Sequence, residues 1–275
     1  LNYRAIMLTD LDGTLLNSQS RVSQRNFEIF AVLAEKKIAR VAATGRSLFS
    51  TRRVLPDDFP IDYLIFSSGA GILDWRSGKV MRAASLGPPE ICSAAAFFLE
   101  NRLDFSIHHP IPDTHKFHWY PSSSPHFDFL QRVELFRQFA HTGDFRQIDA
   151  ATQLLAVVDD STKLIPELKR RCSGLSIIRS TSPLNRTVDW IEVFPGNVSK
   201  GHAGDWLARK LEIPATLSMS IGNDYNDIEM LKWANHSFIM ANGPKELLRR
   251  FANAPHHDED GFAAAIEAWL CHCNL

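Results

Sequence analysis

Two aspartates, Asp10 and Asp12, stand one residue apart in the stretch AIMLTDLDGTLL, where a short apolar run, Ala5 to Leu8, gives way to Gly13 and Thr14. Carboxylates this close repel when both are ionised, which raises the pKa of one unless a cation sits between them. Catalysis can use either outcome, although an aspartate after a strand also serves as a helix cap or turn residue. Further along, Thr44 in ATGR, ahead of Gly45 and Arg46, offers a hydroxyl and nearby backbone N–H groups suited to a phosphate oxygen, or forms an ordinary βα turn. Lys200 in NVSKGHA can place a point charge on a phosphate, or be a solvated lysine at a helix start. In IGNDYNDIEML, Asn223, Asp224, Asn226 and Asp227 crowd behind an apolar run. Residues three or four apart share a face where a helix begins, and such oxygen donors suit Mg²⁺. An N-cap with acidic neighbours explains one of these four, not all of them.

These segments need elements to hold them. The run AIML reads as a strand, SQRNFEIFAVLAEKK as a helix with Phe27, Phe30, Ala31 and Ala34 at helical spacing, and IARVAATG as a second buried strand: a βαβ unit. LFSTRRVL reads as a helix, IDYLIFSSGAG as a third strand, and DWRSGKVMRAA as a hairpin around Ser77 and Gly78. Strand and helix alternate again from GHAGDWLARKLE to the final helix near GFAAAIEAWL, so both ends predict halves of one parallel sheet. In such sheets ligands bind outside the carboxyl ends of the strands, where all four polar segments fall. Between the halves the texture changes. A helix PPEICSAAAFFLENR, strands FSIHHP, FHWYP and QLLAVVDD, a helix after Lys163 and a strand GLSIIRS predict an inserted α+β domain, and YPSSSP reads as a flexible loop.

The size, 275 residues, favours two domains or one with a large insertion. A formal net charge of -1 gives no global field for nucleic acid or anionic lipid. No apolar run is long enough to span a bilayer and the N-terminus reads as a strand, so neither export nor anchoring is expected. Cys92, Cys172, Cys271 and Cys273 are too few and scattered for a disulfide framework, which fits a reducing cytoplasm; CHCN reads as a helix end rather than a metal or redox pair.

In this order, DLDGTLL, TGR, VSKG and GNDYND resemble the four motifs of the haloacid dehalogenase superfamily, and more narrowly its Cof-type phosphatases. The resemblance implies an α/β fold, a Rossmann-like parallel-sheet core over residues 1–86 and 188–275, with residues 87–187 as an inserted α+β cap of type IIB. It implies that Asp10 attacks phosphorus to form an aspartyl-phosphate and that Asp12 is the general acid and base. It implies Mg²⁺ held by the Asp10 side chain, the Asp12 backbone carbonyl, Asn223 and Asp227, with Asp224 the alternative. Thr44, Gly45 and Lys200 would bind the phosphate, Asn226 would orient it, and Arg46 would reach towards substrate or cap. Two positions depart from the family's commoner pattern: Asn223 stands where an aspartate usually follows the glycine, and Ser68 where asparagine is frequent.

The expectation is a cytoplasmic Mg²⁺-dependent phosphatase of small phosphorylated metabolites, sugar phosphates first, acting as a monomer or weak homo-oligomer without nucleic-acid or membrane partners. A phosphomutase of the same superfamily is the rival within the class, and a catalytically silent sensor of a phosphorylated ligand the rival outside it. A dehalogenase is disfavoured, because carbon–halogen chemistry has no use for Asp12 as an acid. In the insert, His108, His109, His115, His118, Trp119 and Tyr120 could stack on or hydrogen-bond to a leaving group, or simply pack the cap. Their spacing alone gives no geometry for a histidine metal site.

Overall fold

The computed structural model describes residues 3–185 and 187–273, so the outer ends of the expected domains and Asn274 of CHCN lie outside the described residues. The described residues form two compact units, 3–46, 51–82 and 199–273 in the first and 47–50 with 83–185 and 187–198 in the second. In chain order the strands are β1 (Ala5–Thr9), β2 (Ile38–Ala43), β3 (Tyr63–Phe66), β4 (Gly71–Asp74) and β5 (Lys79–Ala83), then β6 (Asp104–His108), β7 (Phe117–Tyr120), β8 (Ala140–His141), β9 (Gln153–Val158), β10 (Ser176–Thr181) and β11 (Asp189–Phe194), and finally β12 (Ser218–Gly222), β13 (His236–Met240) and β14 (Ala252–Ala254).

The first unit carries an eight-stranded sheet in the order β14-β13-β12-β1-β2-β3-β4-β5. Pairing is parallel from β14 to β3, and β4 returns antiparallel on β3. Strands β1 and β2 are buried at every position, which is why their sequences lack polar alternation: helices cover both faces. Ile6, Leu8, Val41 and Ile65 pack under Ala203 and Leu207 of the helix Lys200–Lys210. On the other face Phe30 of the helix Gln24–Glu35 stacks on Phe262 of the helix Gly261–Cys273 at 5.4 Å. Arg40 also points to this side. Its buried guanidinium is neutralised by Asp62 at 2.7 Å and donates to the Phe30 carbonyl.

The helix Gln24–Glu35 buries Asn26, Ile29, Phe30 and Leu33 rather than the expected face through Phe27. Phe27 sits half-exposed at the rim, edge-on to Phe59. LFSTRRVL contributes only the four-residue helix Leu48–Thr51. The hairpin at Ser77–Gly78 forms as predicted, Gly78 supplying a φ of +69°. No helix among the described residues is long and apolar enough to cross a membrane.

The second unit carries a six-stranded sheet in the order β10-β11-β9-β6-β7-β8, antiparallel except between β7 and β8. The helices Pro88–Glu100 and Leu164–Arg171 bury Phe97, Phe98 and Leu168 on one face; the helix Phe127–Leu135, unread in the sequence, lays Phe129 against Leu155, Val157 and Trp190 on the other. Strand β11 pairs with β10 and β9, so this unit runs to Val198 rather than ending at Thr187. The loop YPSSSP is tied down rather than free: the buried Asp104 carboxylate accepts from the amides of Ser122 and His126, both at 2.6 Å.

His108 is buried in this sheet. Its Nδ1–H donates to the Thr114 carbonyl at 2.7 Å, and Nε2 accepts from the Ser106 hydroxyl at 3.1 Å. Burial, helped by the nearby Arg132 charge, pushes its pKa down to about 3 despite the Thr114 bond. A histidine depressed in the folded state contributes stability above its unfolded pKa and loses it as pH falls. Thermal melts from pH 7 to pH 4 should therefore fall less steeply for His108→Gln than for the wild-type protein, and parallel curves would contradict the assignment.

Candidate active site

In the first unit the carboxyl ends of β12, β1, β2 and β3 lie side by side, where the connections reverse: β1 to β3 step towards one edge and β12 to β14 towards the other. The crevice at such a switch point is where open α/β sheets bind ligands. The residues just past these strands are Asp10 after β1, Thr44 after β2, Ser67 after β3 and Asn223 after β12.

Lys200 joins two of these ends. Its fully buried ammonium donates to Asp10 Oδ1 at 2.6 Å and to Asp227 Oδ1 at 2.7 Å. It opens the helix Lys200–Lys210, whose N-cap Ser199 accepts from the His202 amide. Burial alone would lower the Lys200 pKa, but the two carboxylates outweigh it and hold it above its ordinary value. Asp10 is pushed up to about 7 because burial exceeds what Lys200 returns, while the charges of Asp227 and Asp12 add to the shift. The remaining Asp227 oxygen accepts from the amides of Asn223 (2.8 Å) and Asp224 (3.0 Å). Gly222 makes this possible: a Cβ there would stand 2.6 Å from the Asp227 side chain.

Asp12 points elsewhere. Its half-exposed carboxylate takes a bidentate pair from Arg46, Nε and Nη2 each at 2.7 Å. Burial opposes the Arg46 charge, but the Asp12 bonds and charge hold its pKa above the usual range. Arg46, expected to reach towards substrate or cap, is thus engaged by the second aspartate. Its amide also donates to the Thr44 hydroxyl at 3.1 Å. Asn226 stands beside the same turn, its Nδ2 lying 3.7 Å from where a Gly45 Cβ would be.

Ser67 and Ser68, buried, have φ of +48° and +54°, a left-handed pair that costs non-glycine residues roughly 1–2 kcal/mol each. Their amides hold the turn by donating to the carbonyls of Arg46 (2.8 Å) and Thr44 (3.0 Å). The next residue, Gly69, has a φ of +103°, and a Cβ there would fall 2.3 Å from the Ser199 carbonyl oxygen. The strained turn therefore abuts the backbone that launches Lys200.

The sequence profile of the haloacid dehalogenase-like hydrolases matches residues 7–266. The chain belongs to this family. It is 24% identical over 282 residues to the HMP-PP phosphatase of Serratia proteamaculans strain 568, covering 95% of this chain and 93% of that protein. It is 26% identical over 283 residues to the 5-amino-6-(5-phospho-D-ribitylamino)uracil phosphatase YwtE of Bacillus subtilis strain 168, covering 95% and 96%. Its fold matches that of the haloacid dehalogenase subclass IIB sugar phosphatase BT4131 with a TM-score of 0.78 at 19% identity, covering 96% of this chain and 98% of that one.

Members of this hydrolase family generally use a divalent metal, and the donors here fit a hard cation. The Thr14 hydroxyl lies 3.4 Å from Asp10 Oδ2 and 3.3 Å from Asn223 Oδ1, and so bridges these two oxygen donors. All-oxygen donor sets suit Mg²⁺. Asp227, by contrast, already has both oxygens engaged.

Three features of the site escaped the sequence reading. Thr14 is completely buried between the two motifs. Asn242, just beyond β13, donates from Nδ2 to the Gly13 carbonyl at 2.9 Å; its place after an apolar strand, HSFIMAN, is the signal that could have found it. Asp258 anchors the loop after Thr14, accepting from the Ser18 amide at 2.7 Å and its hydroxyl at 2.6 Å; nothing in its local sequence points there.

Proposed function

We propose that this hydrolase removes phosphate from small phosphorylated metabolites, sugar phosphates foremost, through an aspartyl-phosphate on Asp10 with Mg²⁺ as cofactor. The enzyme is a phosphoric monoester hydrolase, a reading supported by its family and its full-length phosphatase relatives. Sugar phosphates come first because the fold matches a sugar phosphatase. The observation that carries the mechanism is the Lys200 ammonium clamped between Asp10 and Asp227. An ammonium has three donors; with two so directed, the third would serve a phosphate oxygen placed beside the carboxylate that attacks.

Asp10 forms the new P–O bond as the bond to the leaving oxygen breaks, and Asp12, entering the step protonated, gives its proton to that oxygen. Water then attacks phosphorus, gives its proton to Asp12 and frees Asp10. Thr44, the turn amides at Gly45, and Asn226 bind and orient the phosphoryl oxygens. Mg²⁺ would be held by the Asp10 carboxylate, the Asp12 carbonyl and the Asn223 side-chain oxygen, and would supply charge that neutralises the phosphate. Asp227 keeps Lys200 and the 223–224 backbone in position, and would ligate directly, as would Asp224, only after rearrangement. The second unit, residues 83–198, takes the role of the cap that selects the leaving group. Its free thiols fit a cytoplasmic setting, as do those of the first unit.

A screen of phosphate esters for released phosphate, with Mg²⁺ and with a chelator, tests the reading. Metal-dependent release from sugar phosphates is expected, and no release from any ester would overturn it. Arg46 gives a sharper test. As the partner that orients Asp12, its loss in Arg46→Gln should cost on the order of a hundredfold with alkyl phosphates. With p-nitrophenyl phosphate, whose leaving group needs little protonation, the cost should be much smaller. Equal losses would remove Arg46 from this role.

A further inference from the structure

Three histidines of the second unit meet on one face of its sheet at the β8 edge. His118 in β7 pairs with His141 in β8 on one side and with Ile107 in β6 on the other. His109 lies two residues past Ile107, and its amide continues the ladder by donating to the Lys116 carbonyl at 3.0 Å. The period-two alternation of a strand then brings all three rings to the same face. Their centroids form a nearly equilateral triangle with sides of 5.3, 5.9 and 6.0 Å.

His109 and His118 border a cavity of about 360 Å³ that Asp144 and Gln147 also line. His109 Nε2 and His118 Nδ1 are buried and have no hydrogen-bond partner. Two dry ring nitrogens in a half-enclosed cavity are costly unless something occupies it. Gly143 packs closely against one of them, since a Cβ there would stand 3.3 Å from His118 Nδ1. Burial lowers the pKa of both histidines, and their histidine neighbours lower it further, so their lone pairs are available near neutrality.

We infer that His109, His118 and His141 form a binding site for a borderline divalent transition ion, Zn²⁺ foremost. Imidazoles select such ions over Mg²⁺ or Ca²⁺. Metal–nitrogen bonds of about 2.0–2.1 Å in a tetrahedral site put imidazole centroids roughly 5 Å apart, slightly inside the observed triangle. The rings of His109 and His118 are stacked within 5° of parallel and the ring nitrogens of the three are not all within 4.8 Å of one another, so binding must turn the rings as well as draw them inward. His141, exposed on a two-residue strand, is the one free to swing. The bound ion would tie this short edge strand to β6 and β7, and would stabilise the protein by mass action.

The test uses the full chain in excess Mg²⁺, with Co²⁺ as a visible probe and Zn²⁺ as competitor. Among the described residues His256, His257 and Asp258 are the group whose ligand atoms already lie within 4.8 Å of one another, so His256→Gln serves as the control. Wild type and His256→Gln should bind one Co²⁺ with tetrahedral absorption bands, release it to Zn²⁺, and melt at a higher temperature with Zn²⁺. His118→Gln and His141→Gln should each weaken Zn²⁺ binding at least about tenfold and lose the rise in melting temperature. His141→Gln changes an exposed side chain, and its melt without metal verifies folding. Absence of Co²⁺ binding in the wild type, bands unchanged in both variants, or bands lost in His256→Gln alone would overturn the site.

Discussion

Asp10→Asn is expected to abolish turnover, with a loss of roughly a thousandfold or more in kcat, while leaving the protein at least as stable as the wild type at pH 8 without metal. The first half rests on chemistry, since an amide oxygen is no nucleophile towards phosphorus. The second rests on burial. Asp10 has its pKa raised from 3.8 to about 7 because removal from water costs more than Lys200 returns. A carboxyl raised in the folded state contributes stability that is fully present below its unfolded pKa and is lost as pH rises through about 7. At pH 8 the ionised Asp10 is therefore a liability that a neutral amide removes, while its oxygen can still accept from Lys200. Melting in the presence of a chelator and phosphate release with Mg²⁺ check the two halves separately. Residual turnover near that of the wild type would end the nucleophile assignment, and a melting temperature well below the wild type would contradict the account of burial.

Much of this arrangement was legible because it lies in strand periodicity and in the residue types at the carboxyl end of each strand. The buried runs AIMLT and IARVAA, each followed by a polar residue, are enough to expect Asp10 and Thr44 at strand ends. The family resemblance brought the segments under one family, and the matching profile bears out that family. The hidden part depends on side-chain direction and backbone dihedrals. Arg46 and Asp12 are 34 residues apart, and nothing local says that the guanidinium turns to that carboxylate. Ser67 and Ser68 adopt left-handed φ values that sequence would assign to glycine, so the strained turn under Lys200 left no trace. The expected core begins at residue 188 from the resemblance alone, and strand β11, DWIEVF, lies beyond that point although its partners are β10 and β9. The helix over Phe127–Leu135 exposes Phe127, Leu130 and Leu135, which blurs its apolar stripe.

Lys200→Met is expected to be the most damaging change at the site, because it acts on stability and on chemistry together. The ammonium is completely buried and is the cation that Asp10 and Asp227 share. Removing one partner of a buried ion pair costs roughly 3–5 kcal/mol, since the charge left behind has neither water nor counter-ion. Two carboxylates are left behind here, so the unfolding free energy should drop by about that amount. Loss of one fixed donor to the phosphoryl group should lower kcat by about a hundredfold to a thousandfold in whatever protein remains folded. A second substitution separates the two effects. Adding Asp227→Asn to Lys200→Met removes one stranded charge while keeping an amide oxygen that can accept from the Asn223 and Asp224 amides. The double variant should therefore be more stable than Lys200→Met alone, although each single change is destabilising in the wild-type background. Its activity should not recover, because neither substitution restores a donor to the phosphate. Urea unfolding of the four proteins gives the coupling. A double variant less stable than Lys200→Met would mean that Asp227 is held by its backbone partners alone and that Lys200 contributes nothing through it.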